Sequence, residues 1–238
     1  LRAHFARSGE HLLIPPTLTL DVPTIDMSRV PDREAQFKSI LEEEARTPFD
    51  LSTGPLCRAR LLRLGPASHR LVFTAHHIIC DGWSMGTVMS ELGAFYNARA
   101  HGAELELEET ISFRHFAERR HAPDPDDARI EDFWLAEFKD LPPVMELPSD
   151  RSRPPVKTFR GATYTDHLDA ALVAAVKKAG ARYGATLFAA LYSGLQVTLG
   201  KLSAQSDIAT TVPMAGQALV EDGVLVGHCV DFLPVRVP

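Results

Sequence analysis

Leu71-Val72-Phe73-Thr74-Ala75-His76-His77-Ile78-Ile79-Cys80-Asp81-Gly82-Trp83-Ser84 runs from an apolar, β-forming stretch through a polar turn into a helical pattern. Its first five residues are short, apolar and rich in β-formers, which predicts a buried strand. Beyond Asp81-Gly82, the residues Val88, Met89, Leu92, Phe95 and Tyr96 recur at helical spacing, and Ser84 is placed to cap that helix. Two histidines therefore stand where a strand hands over to a helix. Side chains alternate across a strand, so His76 and His77 are expected to point to opposite faces. His77 would share its face with Leu71, Phe73 and Ala75, and His76 would share its face with Val72 and Thr74. Either ring then enters a packed interior or a channel wall, and one of the two at most faces a given site.

The flanks extend the α/β reading. A helix over Pro31 to Arg46 is predicted from Phe37, Ile40, Leu41 and Ala45 on one face. Pro31 suits a first helical turn, and Pro48 lies just past the stop. Arg58 to Leu64 alternates polar and apolar residues, and Gly65-Pro66-Ala67-Ser68 separates it from the strand at Leu71, a hairpin signal. The helix after Ser84 should stop at His101-Gly102. A further helical patch covers Ile130 to Phe138. Prolines crowd the stretch between His121 and Arg160, which places the domain boundary there, with residues 1–155 before it and 156–238 after. Thr163 to Leu168 reads as a strand, Ala170 to Tyr183 and Thr186 to Lys201 as helices, and Asp207 to Val212 and Val230 to Val237 as strands. Helices interleaved with strands indicate an α/β class.

Composition narrows the function classes. With 45% hydrophobic and 24% charged residues, the 238-residue chain can bury one or two cores. The net charge of -6 argues against nucleic acid or an anionic membrane surface, both of which favour clustered Lys and Arg. No apolar run approaches a membrane span. Cys57, Cys80 and Cys229 are odd in number and widely spaced, which fits free thiols and a reducing cytoplasm.

Several chemistries can be weighed at the His-His turn. Zinc ligation is disfavoured for His76, Cys80, Asp81 and His115, because adjacent strand histidines diverge and no paired-Cys or His-Glu-x-x-His spacing exists. No metal is expected. Cys80 lacks nucleophile context and reads as a small buried residue. Gly82-Trp83-Ser84-Met85-Gly86 lacks the lysine of a nucleotide loop.

The turn with its Asp-Gly resembles the signature of the condensation domains of nonribosomal peptide synthetases, and other segments agree in the same order. Leu1-Arg2-Ala3-His4-Phe5 resembles the tail of an upstream motif. Pro48 to Leu56 and Arg58 to Leu64 look like the loop and strand that precede the histidines in that family. Glu146 to Arg151 and Phe159 to Ala162 resemble its crossover between lobes. Val226 to Arg236 resembles a later motif, in a form often seen after polyketide modules. Two departures stand out: Asp231 occupies a position usually held by Asn, and His115 replaces an Asp in Phe113-Arg114-His115-Phe116.

The resemblance implies a chloramphenicol acetyltransferase-like two-lobe fold with a channel between the lobes, here expected to be truncated: most of an N-terminal lobe and the start of a C-terminal one. It implies amide formation between an acyl or peptidyl thioester donor and an aminoacyl thioester acceptor. Both would be presented on the phosphopantetheine of carrier proteins, with an adenylation domain adjacent and no cofactor bound by the domain itself. His77 matches the catalytic histidine, acting as a base or by positioning the amine. His76 reads as structural. Asp81 would hold the loop by pairing with an arginine, supplied by Arg2 or, failing that, Arg236. The Gly82 amide is a candidate donor to a thioester oxygen. Trp83, Ser84, His228 and Asp231 would line the channel. A coenzyme-A-dependent acyltransferase of the same fold and a non-catalytic carrier-docking module are the alternatives.

Overall fold

A computed structural model describes residues 1–219 and 223–237. The chain packs as two compact units, Leu1–Ala122 with Met214–Asp231, and Pro123–Pro213 with Phe232–Pro238. The residue-155 boundary falls inside the second unit, in an irregular segment.

In the first unit, β1 (His4–Phe5) pairs antiparallel with β2 (Leu12–Leu13), and β3 (Thr24–Asp26), β4 (Cys57–Gly65) and β5 (Ser68–Ala75) form one sheet in that order. β4 and β5 are the expected hairpin, antiparallel with Cys57 opposite Ala75 and Leu61 opposite Leu71. β3 joins β4 in parallel. Helix α1 (Arg33–Arg46) begins two residues later than predicted because Asp32 caps it, accepting from the Ala35 N–H at 2.9 Å. Its Ile40 closes a core with Met27, Leu62 and Val72, around which Ile25, Phe37 and Leu64 pack. Glu44, only 5% exposed, faces β4; its Oε2 accepts from Arg58 Nε at 3.0 Å, and its Oε1 forms an ion pair with Arg60 Nε at 2.6 Å. The alternation that signalled a half-buried strand thus puts two arginines of β4 against a carboxylate of α1.

A second core of Leu56, Ile79 and Cys80 lies directly under the His-His turn, ringed by Phe5, Phe49, Leu51, Ala75, Ile78 and Met85. Helix α2 (Gly82–His101) leaves from this core and ends on Gly102, whose φ of 63° is the left-handed stop that glycine accommodates. Its apolar stripe is largely open: Leu92, Phe95 and Tyr96 are 44%, 53% and 73% exposed. Helical periodicity reports an apolar face but not whether a neighbour covers it. α3 (Phe113–His121) completes the helices of this unit, and a short 3-10 helix, Gly216–Leu219, belongs to its returning segment.

The second unit holds α4 (Asp127–Glu137), α5 (Ala170–Ala181) and α6 (Leu187–Ser203). The strands β6 (Ile208–Ala215) and β7 (Val230–Val237) pair with each other. The strand expected over Thr163 to Leu168 does not form. Its β-forming residues meet no partner strand, and Tyr164 is 88% exposed. Among the described residues, no helix is long and apolar enough to cross a membrane.

Candidate active site

The strand stops at Ala75, one residue before the histidines. Two successive turns follow, closed by the Ile79 N–H on the His76 carbonyl at 3.0 Å and the Cys80 N–H on the His77 carbonyl at 3.3 Å. Ile79 and Cys80 sink into the core beneath, and this throws His77 outward. The histidines diverge as expected, but through a turn rather than strand alternation. His76 is committed to the loop: its Nδ1 accepts the Ile78 N–H at 3.1 Å, and its ring stands edge-on to Phe49. His77 is exposed, and its Nδ1 lies 3.0 Å from Nδ1 of His228, with the rings at 77°.

Asp81 is 2% exposed and caps α2, with Oδ1 accepting the Ser84 N–H at 2.9 Å. The helix therefore starts at Gly82 under an Asp81 cap, two residues before the predicted Ser84. Ser84 is not a channel-lining residue either. It is fully buried; its hydroxyl donates to the Gly227 carbonyl at 2.9 Å and accepts the Gly227 N–H at 3.0 Å.

The expected arginine is not the partner of Asp81. The Gln217 amide donates to Oδ1 and Oδ2 at 2.9 and 2.7 Å, and the Cys229 N–H donates to Oδ2 at 2.9 Å. Arg2 instead donates to the carbonyls of Pro15 and Pro16, and Arg236 pairs with Asp207 at 2.6 Å. Burial alone would raise the Asp81 carboxyl, but the N–H groups of Ser84 and Cys229 and the Gln217 amide outweigh it and hold the acid below its ordinary value. A buried carboxylate can thus be held by neutral donors, which avoids desolvating a second ion. Gln217 is the functional residue that sequence reasoning missed, 136 positions from its acceptor and carrying no local signal.

These contacts staple the 227–229 segment to the start of α2. Gly227 must be glycine, because a Cβ there would run into the Phe113 ring. Asp231, at the position usually held by Asn, pairs with Arg120 at 2.7 Å and is nearly half exposed. Trp83 is 58% exposed, and with Gly82, Gly86, Ser90, Leu107 and Val224 it borders a groove beside α2. The Gly82 amide opens the helix N-terminus, where the first N–H groups have no intrahelical partner. Burial raises the thiols of Cys80 and Cys229, the latter to about 11, with the Asp81 charge adding to both. That removes them as nucleophiles near neutrality. Among the described residues, no group of three or more His, Cys, Asp or Glu is disposed to hold a metal ion.

Comparison with known proteins places the chain in a family. The family model described as the condensation domain matches residues 1–238. Chondramide synthase cmdD of Chondromyces crocatus is 33% identical over 234 residues, covering 96% of this chain and 6% of that protein. Phosphinothricin tripeptide synthetase PhsC of Streptomyces viridochromogenes is 34% identical over 226 residues, covering 93% of this chain and 21% of that one. The chain therefore spans a small part of the curated relatives it matches. Among solved structures, holo-AB3403, a four-domain nonribosomal peptide synthetase bound to AMP and glycine, superposes with a TM-score of 0.81 at 22% identity, covering all of this chain and 18% of that one. SgcC5 of Streptomyces globisporus gives 0.75 at 24% identity, covering 99% of this chain and 54% of that one. At such identities these likenesses speak for the fold, the α/β one expected. With the family model spanning the chain from end to end, this polypeptide belongs to the condensation domains of the nonribosomal peptide synthetases.

Proposed function

We propose that the domain joins an acyl or peptidyl thioester to the amine of an aminoacyl thioester, each tethered to a carrier protein. The observation that carries this reading is an exposed imidazole, His77, on a turn anchored by a buried acid and a buried core. In the step, the acceptor nitrogen attacks the thioester carbonyl. The C–N bond forms, the C–S bond breaks, and the amine proton passes to His77 and then to the departing thiolate. Base catalysis supplies about 10²–10⁴-fold. Holding both tethered reactants in attack geometry is worth about 7–11 kcal/mol more. The substrates arrive on the phosphopantetheine of upstream and downstream carriers, the amino acid loaded by a neighbouring adenylation domain. The buried, unpaired thiols of Cys57, Cys80 and Cys229 support a cytoplasmic setting.

The test is a mass-spectrometric assay with loaded donor and acceptor carriers, using this chain within its parent polypeptide. Carrier-to-carrier amide product is expected, and His77→Ala is expected to abolish it while leaving the melting curve nearly unchanged. Turnover of free acyl-coenzyme A with none of carrier-bound donor would overturn the reading in favour of a coenzyme-A-dependent acyltransferase. Carrier binding without product from either donor would leave a docking module.

A further inference from the structure

We propose that His228 is a positioning residue that fixes the tautomer of His77, so that the outward nitrogen of His77 carries the reactive lone pair. The two Nδ1 atoms are 3.0 Å apart with the rings nearly perpendicular, a hydrogen-bonded geometry. A single proton occupies that line, because two would set donor against donor and none would set lone pair against lone pair.

Two arrangements satisfy the contact. If His228 donates, neutral His77 carries its own hydrogen on Nε2 and has no lone pair to offer outward. If His77 donates, its Nε2 is a free acceptor. In that second arrangement, protonation at Nε2 gives an imidazolium that still donates from both nitrogens, and neutral His228 accepts as before. Proton uptake then needs no rearrangement of either ring, whereas the first arrangement would bring two N–H groups together. This choice between the two rests on the reading of His77 as the proton acceptor.

The backbone around His228 is built to hold the ring in place. Gly227, on one side, is bonded through both its N–H and its carbonyl to the buried Ser84 hydroxyl. Cys229, on the other, donates its N–H to buried Asp81. With the backbone held on both sides, a directed bond from the ring has only the two side-chain torsions of His228 left to fix. The second ring nitrogen's environment thus sets which nitrogen of the first carries the proton, the usual way an imidazole tautomer is chosen.

Nitrogen-15 NMR of the imidazoles, read at a pH where both rings are neutral, tests the pairing without any substrate. His77 is expected to show a protonated Nδ1 and a bare Nε2. His228→Leu should abolish that preference. His228→Asn, whose Oδ1 takes the place of the ring Nδ1 as acceptor, should restore it. In the carrier-dependent assay, His228→Leu should lower turnover at least about tenfold, and up to the roughly 10⁴-fold seen when a catalytic imidazole is held in the wrong tautomer. His228→Asn should recover most of it. A wild-type His77 protonated on Nε2, or an unaltered tautomer in His228→Leu, would overturn the inference. If His77→Ala retained turnover while the NMR result held, the base assignment would fall and the pairing would stand.

Discussion

Replacing Asp81 by Asn keeps the size of the side chain while removing its charge, and so probes the donor cage itself. The carboxylate accepts from Ser84 N–H, from Cys229 N–H and from the Gln217 amide at both oxygens, at 2.7–2.9 Å. An Asn at this position can keep the Ser84 bond through Oδ1. Gln217 can then rotate its amide so that Oε1 faces the new NH₂ group. The Cys229 N–H has no such escape and is left facing a donor. The change therefore loses a charge-assisted bond, worth about 1.5–3 kcal/mol, and strands a buried N–H at about 1–3 kcal/mol. Relief of the buried charge offsets part of this, for a net loss of about 2–3 kcal/mol. The assay is guanidinium unfolding followed by fluorescence in a Trp134→Phe background. That leaves Trp83, two residues from Asp81, as the one tryptophan of the chain. The midpoint should fall with the slope unchanged. Because the folded acid lies below its ordinary value of about 3.9, its contribution is fully present above that pH and is lost as the pH falls through the folded value. The gap between wild type and variant should therefore narrow under acid. A loss below about 0.5 kcal/mol at neutral pH, within the usual scatter of surface substitutions, would refute the neutral-donor account.

Three further outcomes follow from the packing. Gly227→Ala should destabilise the first unit by about 1–3 kcal/mol, because the added Cβ meets Phe113 while Ser84 pins the backbone; Gly86→Ala, which meets nothing, should cost nothing in the same thermal melt. Glu44→Ala should cost about 1–3 kcal/mol by denaturant titration, since Arg58 and Arg60 both lose their buried carboxylate while Arg58 keeps the Glu44 and Thr47 carbonyls and Arg60 keeps Glu43. Finally, maleimide should label Cys57, Cys80 and Cys229 at the rate of unfolding rather than at thiol rates. All three are buried with raised thiols, and prompt labelling of the native protein would contradict their placement.

The parts of the site that the sequence makes legible are local. The hairpin before the histidines and the Gly102 stop follow from residues within one loop of each other, whereas the turn that carries His77 outward replaces the strand alternation expected there. What escapes is contact across distance. Asp81 invites a cationic partner, and Arg2 and Arg236 are the candidates that motif order suggests. Its actual donor is a glutamine 136 residues on, with an amide rather than a charge. Ser84 reads as the cap because Ser, Thr and Asp share that role. The competitor three residues earlier takes the cap and leaves the hydroxyl for Gly227. The strand expected at Thr163 fails for the opposite reason: local β preference is present, and the neighbour it needs is not.

The staple between the start of α2 and the 227–229 segment has a bearing on how the domain comes together. Ser84 and Asp81 find their long-range partners 143 and 148 positions further along. Until that late stretch docks, the acid stays hydrated and the imidazole at 77 has no oriented neighbour. Joining such distant residues carries a loop-closure cost that grows only slowly with separation, but it must be met before the contacts return anything. Docking of residues 227–229 on the start of α2 therefore both dehydrates the Asp81 carboxylate and brings His228 beside His77, so a chain cut before residue 227 carries both histidines of the turn and lacks these partners.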